Sequence, residues 1–258
     1  MLRCSRTALL ACAALLLTIA GCTPEAENEP DVSASEDNDD LHGAVNWSYN
    51  GDTGPDHWAD LSPNYAECSA SEQSPVNLTS AEPGEAPLQI DYAATNARLD
   101  SSGHVLTIDA ASGTLSLGES TYDLVQLHFH APSEHAVDGE PYAAEAHLVH
   151  ANGAGGLAVV GVLIEEADDE DDANPFFSGL WERLPVEIDL NEMLPENRSS
   201  FSYRGSLTTP PCTEDVRWTV MQTPIALSED QIERLEKYAT GARPTQPIGE
   251  RAITRTER

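Results

Sequence analysis

Ten residues, "QLHFHAPSEH" at 126–135, hold three of the chain's eight histidines together with a glutamate. In an extended strand the side chains alternate, so His128 and His130 point one way with Gln126, while Leu127 and Phe129 point the other. A second stretch, "AAEAHLVH" at 143–150, repeats the logic: Glu145, His147 and Val149 share one side, and Ala146, Leu148 and His150 share the opposite one. If the two strands are neighbours, His147 joins His128 and His130. Three neutral imidazoles with no cysteine nearby suit Zn2+ in an open tetrahedron whose fourth position is left for water. A zinc histidine has its second ring nitrogen oriented by an acceptor, and Gln126 and Glu145 each stand two residues before a candidate ligand on the same face. Spacing alone leaves another reading open, half-exposed strand histidines, because H-x-H is a common pattern. His135, past a Pro-Ser turn, and His150, on the face opposite His147, read as structural.

The elements that must position these residues are short apolar runs: "LQIDY", "HVLTIDA", "TLSLG", "YDLVQLHFH", "AAEAHLVHA", "LAVVGVLIEE" and "VRWTVMQTPIAL", separated by Gly, Pro, Asn and Ser. That spacing predicts many strands. The most helix-like segment is "SEDQIERLEKYA" at 228–239, with Ser228 as N-cap, Gln231 in the capping-box position, and Ile232, Leu235 and Tyr238 on one face. The acidic run "EEADDEDD" at 165–172 reads as a solvated loop at a strand exit. At 258 residues the chain has room for one large all-β domain with a sizeable core.

The first residues read as an export signal: Arg3 and Arg6, an apolar stretch from Thr7 to Ala20, then "IAGC" at 19–22. The stretch is too short for a membrane-spanning helix. Its ending resembles the bacterial lipobox, which implies cleavage after residue 21 and lipidation of Cys22, tethering an exported domain to a membrane by its acyl chains alone. Thr23, rather than an aspartate, after that cysteine favours the outer membrane, in an organism that has one, over retention at the inner membrane. Residues 22–43, with eight acids and no Lys or Arg up to His42, are expected to form a disordered, charge-extended tether. The first domain aromatics are Trp47 and Tyr49, so the folded domain is expected over 44–258. Of five cysteines, Cys4 and Cys12 leave with the signal and Cys22 is acylated, so Cys68 and Cys212 remain for one disulfide or two buried thiols. Closing so long a loop would stabilise by on the order of 4–5 kcal/mol in the chain-entropy account. Net charge is −31, and losing Arg3 and Arg6 makes it −33, since residues 1–21 contain no acid. This excludes a nucleic-acid partner held by phosphate neutralisation and fits a surface whose self-repulsion is relieved by salt.

Read in order, "WSYNGDTGPDHW" (47–58), "QSPVNL" (73–78), "LVQLHFHAPSEHAVDGEPYAAEAHLVH" (124–150), "LAVVGVL" (157–163) and "YRGSLTTPPCTEDVRW" (203–218) closely resemble the α-class carbonic anhydrases. The resemblance implies a mainly β fold, a single domain on a large, mainly antiparallel twisted central sheet with short peripheral helices. It also implies reversible hydration of carbon dioxide to bicarbonate and a proton by zinc-bound hydroxide. His128, His130 and His147 match the zinc ligands. Thr208 matches the residue that accepts the hydroxide's proton, Glu134 the carboxylate that orients that threonine, and Thr209 a position that helps hold bicarbonate. Val149, Val159, Leu207 and Trp218 match the apolar wall beside the metal. His104 in "SSGH" matches the proton-shuttle position, although Ser102 and Thr107 stand where asparagines are usual. Gly241 occupies the place of an asparagine whose backbone carbonyl orients His130, Tyr49 and Arg243 fit structural or water-network positions, and Cys68 and Cys212 match the disulfide of exported members. The implied partner is the small substrate, with no nucleic acid and with membrane contact through the anchor only, in a monomer or homodimer. The competing readings are a noncatalytic binding module on the same fold and a zinc-dependent esterase. Retention of all three histidines, Glu134 and Thr208 favours the enzyme.

Overall fold

The computed structural model describes residues 45–79, 81–84, 88–100, 106–109, 112–168, 174–180, 186–239 and 241–256. His104 and Cys22 lie outside these residues, as do the leader, the acidic tether and residues 169–172 of the acidic run. The strands that carry the argument are β1 Gln89–Ala93, β2 Thr95–Asp100, β3 Leu106–Asp109, β4 Ser112–Leu117, β5 Ser120–His130, β6 Ala144–Ala151, β7 Leu157–Glu166, β8 Val186–Ile188, β9 Ser200–Gly205, β10 Val216–Met221, β11 Ile225–Leu227 and β12 Thr254–Thr256. The sheet runs β8-β2-β3-β5-β6-β7-β10-β9-β12, with β4 also on β5, β1 on β4 and β11 on β7. Most neighbours are antiparallel, as expected, but β7 pairs parallel with both β10 and β11, so the sheet is mixed. Helices are short: α1 Trp58–Leu61, α2 Pro175–Leu180 and α3 Glu229–Tyr238.

Each predicted apolar run forms a strand, and the longest show why. β6 and β7 are buried on both faces, which the near-continuous apolar sequence of β7 requires; β6 buries Glu145, His147 and His150 as well. The larger core takes Leu127 and Phe129 from β5, Ala146 and Leu148 from β6, and Val160 and Val162 from β7. A second cluster on the other face takes Val159, Leu163, Tyr203, Trp218 and Val220, with Val149 and Leu207 against it. The histidines lie on this second face. In β5 the alternation is broken once: Val149 pairs with Gln126 but His150 pairs with Leu124, leaving Val125 as an extra, half-exposed residue. This bulge shifts the parity. Tyr122 and Leu124 on one side of it, and Leu127 and Phe129 on the other, all reach the same core, while Gln126, His128 and His130 turn to the opposite face.

Helix α3 starts at Ser228 with the expected capping box, the Ser228 hydroxyl accepting from Gln231 N–H and the Gln231 side chain accepting from Ser228 N–H. Its buried stripe is Ile232, Leu235 and Ala239, whereas Tyr238, expected on that face, is exposed. At 100° per residue, Ala239 returns almost to the direction of Ile232 and Tyr238 falls at the edge of the stripe. Among the described residues no helix is long and apolar enough to cross a membrane.

Candidate metal centre

Antiparallel register sets His147 of β6 directly beside His128 of β5, and Glu145 beside His130. The ring nitrogens of His128, His130 and His147 converge within 4.8 Å of one another. His128 Nε2 and His147 Nδ1 face each other at 3.3 Å, and the buried His130 Nε2 has no hydrogen-bond partner. The opposite nitrogen of each ring is held. His128 Nδ1 lies 2.9 Å from Gln126 Oε1, His130 Nδ1 lies 3.2 Å from the Gly241 carbonyl, and His147 Nε2 lies 3.1 Å from Glu145 Oε1. With His128 and His130 donating to Gln126 and the Gly241 carbonyl, and the Glu145 carboxylate beside His147 Nε2, the rings can present lone pairs to a common point, which is the donor set and tautomer that zinc takes. Burial, followed by the neighbouring imidazoles, holds His128 well below its usual range, and burial likewise lowers His130, so both rings stay in the neutral form that metal binding requires. His147 is also opposed by burial, but the charge of Glu145 outweighs this and raises it.

Glu145 serves more than one ring. Its Oε1 is also 2.8 Å from His135 Nδ1, and its Oε2 accepts the backbone N–H of Glu134 and of His135. Burial would raise this carboxyl, but His135 and His147 outweigh that and keep it well below its usual range. His135 continues through Nε2 to the Tyr203 hydroxyl at 2.6 Å, which donates to Ser74. His135 is thus a link in a buried chain that ends on His147, one of the three convergent histidines. The signal for this chain in the sequence is Gly161, the one glycine in "LAVVGVLIEE". It sits opposite His147, and a Cβ there would stand 2.7 Å from Glu145 Oε1. His150 is buried against Tyr92, whose hydroxyl lies 2.8 Å from its Nε2.

Glu134 is buried, with Oε1 accepting the Arg243 backbone N–H at 2.8 Å. Its Oε2 has no hydrogen-bond partner and lies 3.4 Å from His130 Nε2 and 3.9 Å from His147 Nδ1. The Arg243 guanidinium is buried over Trp58 and donates to Gln73 Oε1 and to the Ser74 and Cys68 carbonyls. Burial lowers it to about 10, against the raising charge of Glu134, so it stays cationic. Cys68 and Cys212 form the disulfide, and Gln73 Nε2 donates to the Cys212 carbonyl. The sequence reading gave Arg243 only a structural or water-network position by resemblance; its partners, two backbone carbonyls, the Gln73 side chain and the Trp58 ring, lie far away in the chain. Gly241 has φ +123°, and the ring of Tyr49 fills the space that a Cβ would need. Glycine therefore suits this turn, and its carbonyl still reaches His130.

Beside the histidines a cavity of about 30 Å³ is lined by His128, His147, Val149, Val159, Leu207, Thr208, Thr209 and Trp218. That is room for a water or two. Trp218 is fixed there by its indole N–H, which donates to the Ser206 carbonyl at 2.9 Å, and by edge contact with the His147 ring.

A large mixed sheet carrying three convergent, acceptor-backed imidazoles beside a small cavity defines a mainly β protein with a histidine site that could hold a metal ion. The eukaryotic-type carbonic anhydrase family model matches residues 53–257, and the chain belongs to that family. It is 35% identical over 225 residues to a carbonic anhydrase of Pectobacterium atrosepticum, covering 81% of this chain and 91% of that protein. A carbonic anhydrase of Nostoc is 36% identical, with 81% and 85% covered. Among solved structures, an α-carbonic anhydrase from Thermovibrio ammonificans, determined with sulfanilamide, superposes with a TM-score of 0.76 at 36% identity, covering 82% of this chain and all of that one.

Proposed function

We propose that this protein is a zinc enzyme that hydrates carbon dioxide reversibly to bicarbonate and a proton, with His128, His130 and His147 holding the metal. The observation that carries the reading is the convergence of His128 Nε2, His147 Nδ1 and the unpartnered His130 Nε2, each ring backed by its own acceptor. Bound there, zinc supplies a water acidic enough to act as a nucleophile near neutral pH.

The chain's own residues do the rest. Thr208 accepts a hydrogen bond from the nucleophile and donates its own hydroxyl hydrogen bond to Glu134. Glu134 Oε2 is the acceptor left over once Oε1 has taken the Arg243 N–H, which supports that assignment. Fixing the hydrogen in this way aims a lone pair at the carbon atom. Val149, Val159, Leu207 and Trp218 present an apolar wall to a nonpolar substrate, and Thr209 helps hold the product. His104 carries the proton away, as a residue of near-neutral pKa suits. Gln126 and Glu145 keep the ligand rings in the coordinating tautomer. In the exported form, residues 1–21 are removed, Cys22 is lipidated and residues 22–43 tether the 44–258 domain to the envelope, with the outer membrane and periplasm favoured. The disulfide supports an oxidising compartment.

Stopped-flow carbon dioxide hydration on the purified, zinc-loaded protein tests the reaction, with His128→Ala as control. Turnover well above buffer that is lost in the variant is expected. A zinc-loaded sample no faster than buffer refutes the proposal.

A further inference from the structure

Thr208 and Glu134 work as a pair in the proposed reaction, yet they stand on different loops. Thr208 lies in the loop 206–215 between β9 and β10, and Glu134 follows the end of β5. The Thr208 loop is folded on itself by two bonds, Leu207 N–H to the Thr213 carbonyl at 2.9 Å and Cys212 N–H to the Thr209 carbonyl at 2.8 Å. Cys212, which closes it, has φ +58°, a left-handed conformation that a residue other than glycine keeps only where its surroundings impose it. Glu134 is fixed from the other side. Its Oε1 accepts the Arg243 backbone N–H, and the Arg243 guanidinium is anchored on the Ser74 and Cys68 carbonyls.

Three residues span the gap between the loop and Arg243. Cys68 does so through the disulfide and its carbonyl, and Ser74 through its reciprocal pair with Ser206 and its carbonyl, so both act partly through the backbone. Gln73 does so with a single planar group. It is 2% exposed, and its Oε1 accepts from Arg243 Nη1 at 2.8 Å. Its Nε2 donates to the Cys212 carbonyl at 3.2 Å and to Glu214 Oε1 at 3.3 Å, both on the Thr208 loop. A guanidinium only donates and a carbonyl only accepts, so the reversed amide would set donor against donor and acceptor against acceptor. Every polar atom of the amide is thus used, at a buried place where a lost partner is costly.

We propose that Gln73 is a positioning residue for the reaction: its amide holds the Thr208 loop at the separation from Glu134 at which the threonine hydroxyl donates to the carboxylate. This rests on the roles given above to Thr208 and Glu134. Gln73 is not among the residues lining the cavity, and it shares no bond with the groups that back the three histidines. It therefore acts through the Thr208–Glu134 pair and not through the metal. A misplacement of about 1 Å in such a constellation costs up to roughly 100-fold in rate.

Two variants test this. Gln73→Met keeps the length of the side chain and removes all three bonds, whereas Gln73→Glu keeps the acceptor toward Arg243 and loses the donor toward Cys212. Each should lower kcat/KM for carbon dioxide hydration by about tenfold, while the zinc dissociation constant, measured against a chromophoric chelator, stays within about twofold of the parent. In a Thr208→Val background Gln73→Met should cost less than about twofold more, because the group it positions is gone; a general loosening of the fold would cost the same in both backgrounds. On the zinc-free protein, hydrogen exchange at the Leu207 and Cys212 amides should quicken by about tenfold in both variants. If Gln73→Met does not fold, Gln73→Glu carries the same comparisons. A parent without turnover sinks the reaction and this proposal together. A parent that turns over overturns this proposal alone if the Gln73 variants match its kcat/KM. Unchanged exchange at the two amides, an equal loss in the Thr208→Val background, or zinc affinity falling in step with the rate does the same.

Discussion

Adding one methyl group to Gly161 should loosen a metal site whose ligands it never touches. A Cβ at this position would stand 2.7 Å from Glu145 Oε1 and 3.3 Å from Val220 Cγ2. To reach ordinary contact the carboxylate oxygen must retreat by roughly 0.7 Å. That oxygen sits between two rings, 2.8 Å from His135 Nδ1 and 3.1 Å from His147 Nε2, so a retreat of this size takes at least one of them beyond hydrogen-bonding distance. The carboxylate is buried, with little room to settle elsewhere, and overpacking of this kind costs about 1–3 kcal/mol. Loss of the acceptor behind a ligand histidine typically weakens metal affinity by about 10–100-fold. Gly161→Ala is therefore expected to raise the zinc dissociation constant by roughly tenfold or more, with Glu145→Gln as a companion that keeps the shape and removes the charge. Competition against a chromophoric chelator measures this directly, without reference to turnover. A Gly161→Ala protein that is folded and binds zinc within about twofold of the parent would refute the chain from Gly161 through Glu145 to His147.

Other tests follow from separate features. His104→Ala should lower the maximal hydration rate while small imidazole buffers restore part of it, and an unchanged rate in dilute buffer dismisses this histidine as the proton carrier. Cys22→Ser should release the protein from membranes on fractionation; continued membrane association counts against lipidation at that residue. His150 is held down to about 4 by burial, against about 6.5 when unfolded, so the unfolded state binds its proton first as the pH falls. Stability is thus lost on going below about pH 6.5 and the loss saturates near pH 4, at about 3 kcal/mol from this group. His150→Gln should flatten the urea-unfolding profile over that window by a comparable amount, and parallel profiles for the two proteins would contradict the account.

The proposed ligand set was legible in the sequence because strand geometry is local. Alternation alone put His128 and His130 on one face and paired His147 with Glu145, and Gln126 before His128 announced its own hydrogen bond. The capping box at Ser228 was equally local, fixed by residues three apart. Tertiary structure decided what spacing cannot encode. The bulge at Val125 lets one strand hold Tyr122 and Leu124 in the same core as Leu127 and Phe129; strict alternation would have thrown one pair to the wrong side. Whether β5 and β6 are neighbours, and in what register, depends on pairing between distant segments, and only that pairing sets His147 beside His128. The link from the disulfide region through Arg243 to Glu134 runs over backbone groups, which every residue carries, so no side-chain pattern marks it. Sequence determined which chemistry the chain can perform, because donor type and strand parity are properties of neighbours. The fold decided where the donors meet, because register and bulges are settled by the packing of the whole sheet.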